Sequence, residues 1–308
     1  MMKALVAKLL GKRPEVAMKI MMFAGLAMVL GGYFDAWWHV NVGRESFWIP
    51  PHLVIYSGLV AVLASFVYVM LTENLGIFKW TTIIGFFMMF SAAPIDDWWH
   101  LTHPPEVGLA LFSPPHIYFA IGGALVGISV MNILANMSMR RPDLRKYLFV
   151  YVLAGYLMAM QAIGLFDPRD PTMIGYIGSA LLFSVPAGFY IFSKRAFSDR
   201  HVVGMGSVEG VAKTVLEGSL FYFPSIFAAS IIVSKVKLFR NTYPHSFILG
   251  SIVGTVMSTY LIFFIGSLET HVILQRAAIG IVCAGMAGLL ASFASKELFK
   301  EYRWVRVG

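Results

Sequence analysis

The chain has 308 residues, of which 58% are hydrophobic and 13% charged, with 24 Lys and Arg against 16 Asp and Glu. Soluble domains carry about 25% charged residues, so the composition excludes an ordinary soluble enzyme and predicts an all-α, polytopic membrane bundle. The net charge of +8 is no nucleic-acid signal, because Lys and Arg sit in short loops between apolar runs, as in cytoplasmic loops of membrane proteins.

The chain opens on MMKALVAKLLGKRPEVAMK, and residues 1–16 read as a basic amphipathic segment lying on the cytoplasmic surface. No small-residue cleavage site follows the first apolar run before Asp35, which argues against a signal peptide. Apolar runs near the ~20 residues needed to cross a bilayer follow at 17–38, 51–72, 78–98, 112–135, 147–166, 172–193, 214–234, 246–267 and 272–295. They predict about eight to nine transmembrane helices in one domain of a plasma or inner membrane. Residues 17–135 form a duplicated helical-hairpin half, and residues 136–308 supply the remaining helices.

With the N-terminus cytoplasmic, Arg140, Arg141, Arg145 and Lys146 fall inside, as do Lys194, Arg195 and Arg200. The last third leaves a choice. If 214–234 is a full span, Lys235, Lys237 and Arg240 lie outside, with the tail that carries Lys296, Lys300, Arg303 and Arg306. If it is re-entrant or interfacial, both clusters return inside and Glu269 and His271 face outward. Glu209, Lys213 and Glu217 are spaced four apart and share one helix face, which favours something other than a plain lipid-facing span. The single cysteine, Cys283, rules out an intrachain disulfide and any CxxC motif. Metal chemistry in this chain must use His and carboxylates.

Those residue types are concentrated in two related stretches, FDAWWHVNVGRESFWIPPH from Phe34 and IDDWWHLTHPPEVGLALFSPPH from Ile95. Each reads D-x-W-W-H, five residues, E, a spacer, then P-P-H. The first copy holds Asp35, His39, Glu45 and His52; the second holds Asp96, His100, Glu106 and His116, with a longer spacer. A glycine follows the last histidine by six residues in both, at Gly58 and Gly122. Asp and His four apart share a helix face. Pro-Pro suits a helix start, where a missing N–H costs nothing, so the following histidine sits in the first turn of the returning helix. Each hairpin is thus expected to gather three ligands at its turn, on the extracytoplasmic side. Imidazole with carboxylate suits Cu, Zn, Fe or Ni rather than Mg or Ca.

Single interfacial Asp, His or Trp residues are usually just hydrated; duplicated ionisable residues at helix ends point instead to a functional site. Glu45 and Glu106 are placed to orient the histidines, and Trp37, Trp38, Trp98 and Trp99 to wall the site. His103 reads as an outer group rather than a ligand, and Asp97 as an alternative to Asp96. Glu269 and His271 are lesser candidates. The YPH at 243–245 reads as a loop, DPRDP at 167–171 as a capped turn, and the scattered methionines as packing.

These residues resemble the C subunit of the copper membrane monooxygenases, the particulate methane and ammonia monooxygenase family. DAWWH and PPH match a family stretch of the type D-A-S-W-H…P-S-H through Asp35, His39 and His52, and DDWWH…E…PPH is similar to a second through Asp96, His100, Glu106 and His116. The resemblance covers roughly residues 20–125. It implies one copper site at Asp35, His39 and His52 and an adjacent one at Asp96, His100 and a shared His52. Asp96 stands where the family has Asn, and the spacer to His116 is longer. The expectation is a copper protein, with iron and zinc as alternatives, that activates O2 to oxidise a small-molecule substrate. It acts alone, as a homo-oligomer or with other membrane oxidase subunits. The rival expectations are a transition-metal transporter or storage protein on the same ligands, and a non-catalytic subunit of a larger oxidase.

Overall fold

The computed structural model describes residues 14–43, 48–72, 75–103, 113–140, 142–163, 172–217, 222–236, 243–264 and 269–298. Among them are ten α-helices, here α1 (Pro14–Asn41), α2 (Pro50–Thr72), α3 (Phe78–Thr102), α4 (Pro114–Arg140), α5 (Arg145–Ile163), α6 (Met173–Ala196), α7 (Asp199–Glu217), α8 (Tyr222–Lys235), α9 (Tyr243–Phe264) and α10 (Thr270–Leu298). Six of these, α1, α2, α3, α4, α6 and α10, are long and apolar enough to cross a bilayer. Phe87, Ile84, Ile128 and Leu290 are exposed, as lipid-facing side chains are. The chain is therefore a multi-span membrane helical protein. The basic segment expected at 1–16 lies outside the described residues up to residue 13.

The chain divides into two compact units, 1–154 and 155–308. In the first, α1 pairs with α2 and α3 with α4 as two antiparallel hairpins. Helices without a hydrophobic drive to associate pack through small residues that let backbones approach, and the two glycines of the repeat do this. A Cβ at Gly58 would lie 2.9 Å from the Ala24 carbonyl oxygen of α1, and one at Gly122 would lie 2.8 Å from the Gly85 carbonyl oxygen of α3. Each glycine is the crossing point of its hairpin. Phe66 of α2 and Phe86 of α3 meet at 5.9 Å between ring centroids and join the hairpins. The end away from the motifs is basic: Lys19 lies over the Tyr147 ring and Lys146 over the same ring.

In the second unit α6 and α10 run parallel and α9 antiparallel to both. Tyr176 donates to Gln275 near their shared start, Gly188 faces Ala287 further along, and a Cβ at Gly254 of α9 would lie 2.8 Å from the Ile281 Cα. The expected span 214–234 does not form. Its residues divide between α7, which begins at Asp199, and the 14-residue α8, too short at 1.5 Å per residue for the ~30 Å hydrocarbon core. Glu209 and Lys213 explain why: both are buried, so α7 keeps its charged face inside the protein rather than presenting a lipid-compatible surface. Lys194 at the end of α6 donates to Asp199 at the start of α7 and to the Ser234 carbonyl at the end of α8. The α7–α8 pair therefore enters and leaves at one end. The YPH at 243–245 opens α9 rather than forming a loop, with Pro244 at a position where its missing N–H is harmless.

Candidate metal centre

Both Pro-Pro pairs begin helices: α2 starts at Pro50 and α4 at Pro114. His52 and His116 thus stand in the first turns of the returning helices, opposite the final two turns of α1 and α3, where Asp35 and Asp96 lie. His52 Nε2 is 3.2 Å from Asp35 Oδ1, and His116 Nδ1 is 3.6 Å from Asp96 Oδ1. Each hairpin closes on the same Asp–His pair, one carboxylate from the outgoing helix and one imidazole from the incoming one.

The two copies differ in detail. His52 turns Nε2 to its aspartate, whereas His116 turns Nδ1, which also lies 2.6 Å from Ser113 Oγ. Ser113 immediately precedes the Pro-Pro of the second copy; its place in the first is taken by Ile49, which has no hydroxyl to offer. Because α3 begins at Phe78, soon after α2 ends at Thr72, and Phe66 meets Phe86 near that connection, α2 and α3 run antiparallel and their far ends, with the two motif turns, stand at one end of the unit. Tyr56 lies one turn beyond His52 on α2. The repeat puts Ala120 at the corresponding position of α4. Tyr56 and Ser113 were not singled out by sequence reasoning; the spacings His52 plus four and His116 minus three are the signals that point to them.

An N···O separation near 3.2 Å serves a hydrogen-bonded ion pair. It also suits two ligands of one ion, since metal–N and metal–O bonds of about 2.0–2.2 Å at tetrahedral angles leave the donors about 3.3 Å apart. The donor set fits a borderline metal of the Cu, Zn or Fe kind. His39 and His100 lie on the last turns of α1 and α3, but their side chains, like Glu45 and Glu106, are outside the described residues. Among the described residues no group of three or more His, Cys, Asp or Glu side chains gathers around one point.

His103 is accounted for locally. Its ring stacks on Trp99 at 3.7 Å, and Nδ1 lies 3.0 Å from Thr102 Oγ1 and 3.1 Å from the Trp99 carbonyl oxygen. Trp37 and Trp98, equivalent in the repeat, are exposed, while Trp38 and Trp99 are half-buried; only the second tryptophan of each pair turns inward. Asp97 is half-buried beside Asp96. Glu269 and His271 pair with each other at 3.1 Å, both largely exposed. The DPRDP turn and the Gln161 side chain lie outside the described residues. Comparison with protein-family models, with curated proteins and with solved structures returns no match. Fold and composition define the class, a multi-span membrane protein of helical hairpins.

Proposed function

We propose that the first unit binds a transition metal, copper before iron or zinc, at the turn ends of its two hairpins and uses it to oxidise a small substrate with O2. The observation that carries this reading is the duplicated Asp–His closure, Asp35 with His52 and Asp96 with His116. Its likeness in spacing to the copper membrane monooxygenases supplies the choice of metal and reaction. His39 and His100, on the same helices as the aspartates, complete the donor sets, and Glu45 and Glu106 orient the imidazoles. The metal, when bound, supplies the redox chemistry. The chain's own groups hold it, and Trp38 and Trp99 limit water at the site.

The same reading extends to topology. With α5 and α9 also crossing, eight helices span the membrane and α7–α8 is re-entrant; the N-terminus is then cytoplasmic and the motif turns extracytoplasmic. Partners of the protein in this reading are the bilayer, a small-molecule substrate, and further copies or other oxidase subunits.

A second reading, a transition-metal transporter, rests on the same Asp–His pairs used as a loading site. Metal content and paramagnetic resonance on the purified protein, with O2 consumption on ammonia and short hydrocarbons, test the first. Metal flux into proteoliposomes with no O2 consumption supports the second and overturns the first.

A further inference from the structure

The second unit buries a polar cluster that the metal reading leaves unused. Glu209 of α7, Tyr156 of α5 and Tyr190 of α6 are fully buried, and Lys213 lies one turn beyond Glu209, also buried. The Tyr156 hydroxyl is within hydrogen-bonding reach of Glu209 Oε2 and lies 3.1 Å from the Tyr190 hydroxyl. The Tyr190 hydroxyl reaches the Ile226 carbonyl of α8 at 3.4 Å. From α8 comes Ser230, which packs against Gly206 so closely that a Cβ there would lie 2.5 Å from its Oγ and 3.1 Å from the Tyr190 hydroxyl.

Each phenol has one hydrogen to give. With Glu209 ionised, Tyr156 donates to its carboxylate and Tyr190 donates to the Ile226 carbonyl. With Glu209 protonated, its O–H donates to the Tyr156 oxygen, Tyr156 turns its hydrogen to Tyr190, and Tyr190 keeps the Ile226 carbonyl. Every hydrogen has an acceptor in both states. A buried network satisfied in only one state would resist the change, because an unmade buried hydrogen bond is costly. This chain does not resist it.

We infer that Glu209 is a proton-binding site within the second unit, with Tyr156 and Tyr190 as a two-position hydrogen-bond chain that serves its protonated and ionised forms alike. Tyr156 from α5 reaches the carboxylate and carries the chain to Tyr190 from α6 and the Ile226 carbonyl of α8; Ser230 of α8 packs beside Gly206 and the Tyr190 hydroxyl, and Lys213 lies one turn further along the carboxylate's own helix. Lys194, Asp199 and Lys235 stand at the end where α7 and α8 enter and leave. A proton is the fitting ligand. Lys213 at four residues' spacing offsets a carboxylate charge and would repel a metal cation, and phenol hydroxyls are weak ligands for one. Ionisable residues held inside a membrane bundle commonly form proton relays.

The test is infrared difference spectroscopy of the full-length protein in lipid nanodiscs as pH is stepped. Wild type should show a protonated-carboxyl band that titrates and is missing in Glu209→Gln. Tyr156→Phe removes the donor to the ionised form and should move the midpoint up. Tyr190→Phe removes the acceptor to which Tyr156 turns when Glu209 is protonated and should move it down. Each shift should be roughly half to one pH unit. Wild type, with no substitution at all, should also be modified at Glu209 by a hydrophobic carbodiimide, which attacks protonated buried carboxyls, faster as pH falls. No titrating band lost in Glu209→Gln, both tyrosine variants shifting the same way, or no pH-dependent carbodiimide labelling would each overturn the inference.

Discussion

The Lys194 ammonium, at the end of α6, donates at 2.8 Å to the carbonyl of Ser234 at the end of α8. That single bond fixes the path of the chain between them. From Lys194 the chain turns at Asp199, itself held by the same ammonium at 2.5 Å, runs through α7 and α8, and comes back to where it started. In the proposed re-entrant arrangement this backbone does not cross the membrane, which is tolerated where protein rather than lipid surrounds it, and the burial of Glu209 and Lys213 is consistent with that.

The topological consequence is direct. With Cys283 replaced by Ser, Arg200→Cys and Lys235→Cys should react with a membrane-impermeant thiol reagent from the same side, the cytoplasmic one. Asn41→Cys and Leu101→Cys, beside the two motif turns, should both react from the opposite side. A full span over 214–234 requires Arg200 and Lys235 to be labelled from different sides.

The ligand assignment makes a second prediction. His52→Ala removes one of few nitrogen donors and leaves Asp35 without the imidazole it faces at 3.2 Å; it should lose most of the bound metal. His39→Ala should do the same. His103→Ala should retain nearly all of it, because that ring is engaged with Trp99 and Thr102. Metal-to-protein ratios by elemental analysis decide the matter. Full metal in the His39 and His52 variants with loss in the His103 variant would shift the whole register of the repeat.

The repeated glycines predict a structural effect rather than a chemical one. Gly122→Val places a branched side chain where Cβ alone would meet the Gly85 carbonyl oxygen at 2.8 Å. Overpacking of this kind costs about 1–3 kcal/mol. It should lower the melting temperature in detergent and, by parting α3 from α4, weaken metal binding at the second motif more than at the first. Gly58→Val should show the opposite preference. Equal loss at both motifs would indicate global unfolding instead of hairpin opening.

What could be read in the chain beforehand follows from periodicity and charge. Helix starts at Pro50 and Pro114 were legible, because Pro-Pro after an interfacial stretch has few other uses, and so were the duplicated motif and most apolar runs. The α7–α8 pair was half legible: the charged line through Glu209 and Lys213 spoke against a lipid-facing span, yet hydropathy alone ran 214–234 together across the break after Glu217. Tyr56 and the Tyr156–Glu209–Tyr190 set were not legible, since tyrosines in apolar helices carry no local sign of the residues that meet them from other helices. The meeting of residues 34 and 53 positions apart in sequence is a property of packing.

The last prediction concerns Asp96, the position where the proposed likeness to the copper monooxygenases has Asn. The two motif turns, with Asp35 and Asp96, stand at one end of the unit because α2 and α3 run antiparallel between them. An Asn in the second place leaves a site less charged and better matched to Cu(I). The Asp found here adds a negative charge, which favours a divalent ion or a pair of ions. Even at about 8 Å, farther than any ligand distance, one unit charge in an effective dielectric of about 20 is worth roughly 2 kcal/mol per unit of ion charge, so losing it from the ligand set itself costs more than tenfold in affinity. Asp96→Asn should therefore keep the metal at Asp35 and His52, bind a divalent ion at the second motif at least tenfold more weakly, and raise the copper reduction potential. O2 consumption should fall sharply in step with it. Metal titration, potentiometry and O2 uptake on wild type and variant provide the check. An unchanged affinity at the second motif would separate Asp96 from the metal altogether and leave Asp97 as the carboxylate to examine.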